Sequence, residues 1–161
     1  ASAAASMANA PGKVATQVCD VADAASVKAA MEATLKTFGR VDGCFANAGI
    51  GGGGRHSFIE RTEEQWRTMF ATNLDGVFHA FQAAARHMTE RAQSGDAFGR
   101  LVATSGIMGN DKFVANVMPH IPTRRFGEPE DFGGIAVYLM SKASSYHTAD
   151  LFVIDGGDTA F

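Results

Sequence analysis

Cysteine, tryptophan, tyrosine and proline are scarce in this chain, with two, one, two and four of them among 161 residues. Cys19 and Cys44 fall on different expected strands, with no Cys-x-x-Cys pair and no metal-ligand spacing, which excludes a disulfide scaffold and a zinc cluster. Both read as reduced, buried strand residues, the setting of a cytoplasmic protein. The histidines show no ligand spacing either, and His79 and His87, eight apart on one helix, read as fillers rather than as a metal site. No apolar run approaches the ~20 residues that span a bilayer. Residues 1–10 are small and alanine-rich, without the charged start and apolar centre of a signal peptide. Fourteen Lys and Arg against 17 Asp and Glu give a net charge of −3, and Arg124-Arg125 is the only adjacent basic pair, so no basic stripe is offered to a polyanion. Neither nucleic acid nor a membrane is an expected partner.

What is present suits a folded α/β chain. With 46% hydrophobic and 19% charged residues, the length suffices for one compact domain with a core. Residues 13–19 alternate and are β-branched, so they predict a strand that stops at Asp20-Val21. Residues 24–38 carry Val27, Ala30, Met31, Thr34, Leu35 and Phe38 at helical spacing, with Asp23 placed to cap the start and Gly39 the end. The run 41–50, Val-Asp-Gly-Cys-Phe-Ala-Asn-Ala-Gly-Ile, then predicts a short buried parallel strand and a tight turn. Strand, helix, strand makes a parallel crossover, whose ligands lie beyond the carboxyl ends of the strands.

Further along, Thr62-Glu-Glu-Gln65 fits a capping box opening a helix with Trp66, Met69 and Phe70 toward the core. A longer helix is expected over 74–91 with Val77, Phe78, Phe81, Ala84, Ala85 and Met88 on one face. A strand is expected at 100–105, a helix from Pro129 to Met140, and a last strand at 151–154. Glycines 51–54 are not followed directly by a helix, as a phosphate cradle requires, and read as a flexible loop beside the site.

Cys19-Asp20-Val21, Phe38-Gly39-Arg40-Val41-Asp42, Asn47-Ala48-Gly49, Trp66 with Thr72-Asn73-Leu74, residues 125–130 (Arg-Phe-Gly-Glu-Pro-Glu) and the closing Val153-Ile154-Asp155-Gly156-Gly157 occur in an order and spacing that resemble the short-chain dehydrogenase/reductase family over most of the chain. The resemblance implies a doubly wound, Rossmann-like parallel sheet in a single domain. It also implies hydride transfer between NAD or NADP and a secondary alcohol or ketone, and a homotetramer formed through the helix at 74–91 together with the Tyr-x-x-x-Lys helix that the family carries. Asp20 would face the adenine amino group with Val21 beside the ring, and Asn47, Ala48, Gly49 and Ile50 would line the adenosine ribose, although the family's preceding Asn is Ala46 here. Asn73 matches the Asn that helps to hold a water-linked proton path. Counted from Gly99-Arg100, the family's catalytic serine falls on Gly106, so either a one-residue shift lets Ser105 serve or the site lacks its serine.

Three expected features are missing: the first strand with its glycine-rich loop, the second strand that would distinguish NAD from NADP, and the helix bearing Tyr-x-x-x-Lys. Tyr138-Leu-Met-Ser-Lys142 has that spacing but lies where the family has a core helix, and reads as packing. The expectation is a longer polypeptide, with residues before Ala1 and between 110 and 111. If instead the sequence is whole, a dinucleotide-fold protein that binds without turnover is the alternative.

Overall fold

Two helix-start signals act as their chemistry dictates. The Asp23 carboxylate accepts the N–H of Ala25 at 2.9 Å and opens α1, Ala24–Phe38, which Gly39 closes at φ 80 with its N–H on Leu35 O; only glycine takes that left-handed position without cost. Thr62 and Gln65 form the expected capping box on α2, Glu63–Phe70. In the computed structural model, the described residues are Met7, 11–51, 58–104 and 118–160. They fall into two compact units, Ala1–Ser105 and Gly106–Phe161.

In the first unit, β1, Gly43–Ala46, runs parallel to β2, Arg100–Ala103, in the register Gly43 to Arg100 through Ala46 to Ala103. Arg100 N–H on Asp42 O and Thr104 N–H on Ala46 O extend the ladder at either end. After α2 the chain makes one π turn, Ala71–Asp75, in which Gly76 N–H reaches Ala71 O, and then continues as α3, Gly76–Gln93. Helix α3 packs on both strands and on α1, where Val27 and Ala84 are buried. Helices on a parallel pair joined by a crossover are the expected α/β class.

Several expectations are corrected. Residues 13–19 and 151–154 are not strands: no described strand offers either of them a ladder, and β-branched alternation supplies propensity without a partner. The sheet described is therefore the β1–β2 pair, and β2 is shorter than the expected 100–105. Trp66, Phe70 and Phe78 were expected in the core and are exposed, because no described element covers that side of α2 and α3. Cys19 is exposed rather than buried, while Cys44 is half-buried, and burial pushes the Cys44 thiol up, away from thiolate chemistry.

In the second unit, α4, Pro129–Met140, begins at Glu128, whose N–H is held by the Asp131 carboxylate at 2.8 Å. Arg125 clamps the same carboxylate at 2.5 and 2.8 Å. The guanidinium, aided by the Glu128 N–H, holds Asp131 well below the usual carboxylate range. A Cβ on Gly127 would lie 2.7 Å from the Phe132 ring. The Arg125 to Glu130 motif is thus accounted for as a helix-starting turn.

Candidate functional site

The carboxyl end of β1 collects most of the residues singled out in the sequence. Thr104 donates its hydroxyl to Asn47 Oδ1, so the first residue beyond β1 is tied to the first beyond β2. Asn73 projects from the π turn and grips both backbone polar groups of one residue: Oδ1 accepts from Ile50 N at 2.9 Å and Nδ2 donates to Ile50 O at 3.0 Å. An extra residue in the helical ladder re-aims a side chain in this way, and π turns are frequent at functional sites. Asn73 therefore fixes the backbone of the 47–50 segment.

Asp20 and Val21 form a turn beside it. Asp23 N–H closes on Asp20 O at 3.2 Å, Asp20 Oδ1 accepts Ala22 N–H at 3.0 Å, and Ser26 Oγ accepts Asp20 N–H at 2.9 Å. The Val21 side chain lies against Gly76, where a Cβ would sit 2.8 Å from Val21 Cγ2; glycine here permits the close approach of turn and helix. Val21, Phe45, Ala46, Asn47, Ala48, Gly76, Val77 and Ala80 line one cavity of about 100 Å³. Its wall is apolar apart from the Asn47 amide. Val21, Asn47 and Ala48 belong to the expected set and share this cavity, while Asn73 and Ile50 bond next to it. Asp20 is not strand-borne, so its expected place at a strand end is corrected to a turn, though it adjoins Val21 of the lining. Ser105 and Gly106 lie outside the described residues, as do glycines 52–54.

Two contributors were not legible. His79 bonds through Nδ1 to Val21 O at 3.0 Å, and Thr104 was passed over in favour of the serine after it. His79 lies one helical turn after Gly76, on the face that meets Val21, so the i, i+3 spacing was the available signal. His87 accepts the N–H of Val41 at 3.3 Å, at the opposite end of β1. Neither histidine is a passive filler, and no cluster of three metal-ligating side chains occurs among the described residues.

The Tyr138 and Lys142 spacing does not make an acid–base pair. The Tyr138 hydroxyl shares a 2.7 Å hydrogen bond with His147 Nδ1, and His147 Nε2 lies 2.5 Å from Asp150 Oδ2. Lys142 falls beyond the end of α4 in a separate turn, Lys142–Ser144.

The family model described as short chain dehydrogenase matches residues 1–118, and one described as enoyl-(acyl carrier protein) reductase matches residues 97–159. The 5-keto-D-gluconate 5-reductase of Escherichia coli K12 is 28% identical over 179 positions, covering 81% of this chain and 70% of the relative. The levodione reductase of Leifsonia aquatica is 28% identical, covering 99% and 80%. That alignment runs over 215 positions, more than this chain's 161 residues, so the relative carries internal residues without a counterpart here. A crystal structure of a short-chain type dehydrogenase/reductase from Mycobacterium marinum superposes with a TM-score of 0.83 at 25% identity, over 97% of this chain and 80% of that one. The motif order, the α/β crossover and a family match over residues 1–118 lead to one conclusion: the chain belongs to the short-chain dehydrogenase/reductase family.

Proposed function

We propose that this protein is an NAD(P)-dependent oxidoreductase acting on a secondary alcohol or ketone, with the adenosine half of the dinucleotide seated at the carboxyl end of β1. The convergence of Val21, Asn47 and Ala48 on one cavity, beside the Asn73 to Ile50 clamp, carries this reading. An apolar wall suits the faces of a purine, and the Asp20 carboxylate next to Val21 supplies an acceptor for an exocyclic amine. Asn47, Ala48, Gly49 and Ile50 offer backbone and amide groups to the ribose. Asn73 keeps that backbone in place and, by the family resemblance, takes a catalytic role together with Ser105 or the residue at position 106. Bound nicotinamide supplies the hydride chemistry. The relatives named for 5-keto-D-gluconate and levodione make a keto sugar acid and a cyclic diketone the first ketones to try. The test is titration with NADH and NADPH, followed by loss of reduced-nicotinamide absorbance with those ketones; binding with turnover is expected, and no binding of either dinucleotide refutes the assignment.

A second reading is binding without turnover. It is favoured by the engagement of Tyr138 with His147 and by the placement of Lys142 off α4, so the described residues contain no Tyr and Lys acting together. Dinucleotide affinity with no turnover on any ketone would select it. Enzymatic activity calls for a tyrosine and a lysine in residues between 110 and 111, which intact mass of the cellular protein would reveal.

The protein is further proposed to be a cytoplasmic homo-oligomer, a tetramer by family resemblance. Trp66, Phe70, Leu74 and Phe78 recur every fourth residue along α2, the π turn and α3, all of them exposed, with the Trp66 and Phe70 rings 4.2 Å apart. An exposed apolar stripe at this spacing supports a subunit interface. Two cysteines without a disulfide suit a reducing compartment. No described helix is long and apolar enough to cross a membrane. Light scattering showing a monomer would overturn the oligomer.

A further inference from the structure

We infer that His79 is a positioning residue of the dinucleotide site, holding the Asp20 to Asp23 turn against α3 through its bond to Val21 O. The inference rests on the dinucleotide reading above. The bonds described within the turn are local: Asp23 N–H to Asp20 O, Ala22 N–H to Asp20 Oδ1, Ala25 N–H to Asp23 Oδ1 and Asp20 N–H to Ser26 Oγ. Bonds of that kind fix the shape of a turn and the start of α1, but not where the turn sits over the cavity. The His79 bond comes from 58 residues away, at 3.0 Å, from a half-buried side chain on the helix that lines the cavity.

The chemistry of the pair fixes the tautomer. A carbonyl oxygen only accepts, so Nδ1 carries the proton and donates. Gly76, one turn earlier on α3, lets the Val21 side chain come against the helix backbone, while His79 holds the carbonyl of the same residue. Val21 is thereby gripped at both its side chain and its peptide, and the face it presents to a purine is set before any ligand arrives. Ligand binding then costs less ordering than it would with a loosely hinged turn.

The test compares the full-length chain with His79→Ala and His79→Asn, because the Asn amide N–H takes the place of the imidazole Nδ1–H. Calorimetric titration with NADH and NADPH is expected to show Kd raised roughly fivefold in His79→Ala, the effect of one neutral hydrogen bond, and returned to within about twofold of the parent in His79→Asn. With the ketone substrate, KM for the dinucleotide rises in His79→Ala while kcat does not. In the absence of ligand, amide hydrogen exchange at Ala22 and Asp23 quickens in His79→Ala and recovers in His79→Asn, with amides in β1 unchanged. Parent-like affinity in His79→Ala, or an Asn variant no better than Ala, overturns the inference while leaving the dinucleotide reading intact. A parent protein that binds neither dinucleotide overturns both, and unaltered exchange at Ala22 and Asp23 overturns the clamp itself.

Discussion

At the amino end of the β1–β2 pair the Arg91 guanidinium, with only 13% of its side chain exposed, donates to Val41 O at 2.6 Å and Phe98 O at 2.8 Å. It also pairs with Asp42 at 3.0 Å and Asp96 at 3.2 Å, and Arg40 adds pairs to the same two carboxylates. At the carboxyl end the described ties between elements include no ion pair: Thr104 to Asn47, Asn73 to Ile50, His79 to Val21. One end is closed by a charged knot that satisfies the carbonyls entering the sheet, and the other is held open around an apolar cavity by amides, a hydroxyl and an imidazole. A charged knot in the cavity would have to be desolvated whenever a ligand entered, whereas neutral groups release water cheaply. On the proposed function, the difference separates a stability end from the binding end within strands only four residues long.

If that division is right, variants at the two ends should fail in different ways. Arg91→Met removes the centre of the knot, leaving two carbonyls without this donor and the Asp96 carboxylate with the Arg40 pair in place of two, an expected loss of about 2–4 kcal/mol in urea unfolding. Dinucleotide affinity of the folded fraction stays within about twofold. Gly76→Ala strikes the other end. Its methyl meets Val21 at 2.8 Å and drives that side chain out of place, so dinucleotide Kd is expected to rise about tenfold, or 1.4 kcal/mol. Stability changes little, because alanine gains roughly 1 kcal/mol of helix propensity over glycine. Asp20→Ala is expected to weaken dinucleotide binding by about 1 kcal/mol without unfolding the chain, which calorimetry and a thermal melt together would check.

The smallest effect concerns acid. Hydrogen bonding to Arg40 in first place, with the charge of Arg91 behind it, holds the Asp42 carboxyl below its ordinary range, and Arg91 does the same for Asp96. A carboxyl lowered in the folded state contributes stability above its unfolded value of about 3.9, which is lost as pH falls through the lower folded value. The melting temperature should therefore decline below about pH 4, and by less in Arg91→Met, where one cause is already gone. An Arg91→Met melt with the same acid slope as the parent would remove the knot from this account.

Features whose cause lies within a few residues were legible in the sequence. The Asp23 and Gly39 caps, the Thr62 to Gln65 box and Pro129 at the head of α4 are each decided by a side chain and a backbone group one turn apart. Residues 13–19 and 151–154 read as strands because alternation reveals a pleated preference, yet a ladder needs a partner that no local pattern specifies. The apolar side of α2 was likewise visible, but periodicity does not say whether anything covers it, and Trp66 and Phe70 turned out exposed. The site divides along the same line. Motif spacing singled out Asn47, Ala48 and Asn73, which the structure brings together at the carboxyl end of β1, whereas His79 was passed over because its partner is remote in the chain and a lone histidine on a helix carries no distinguishing pattern.

The claim that the carboxyl end of the strand pair is the ligand end is tested most directly by amide chemical shifts during titration of the isotope-labelled full-length chain with NADPH and with NADH. The account predicts shifts concentrated at Asp20 to Ala22, Asn47 to Ile50, Asn73 and Gly76 to Ala80, with Val41, Asp42, Arg91 and Asp96 unmoved. Shifts centred on the Arg91 knot, or none anywhere with either dinucleotide, would contradict it.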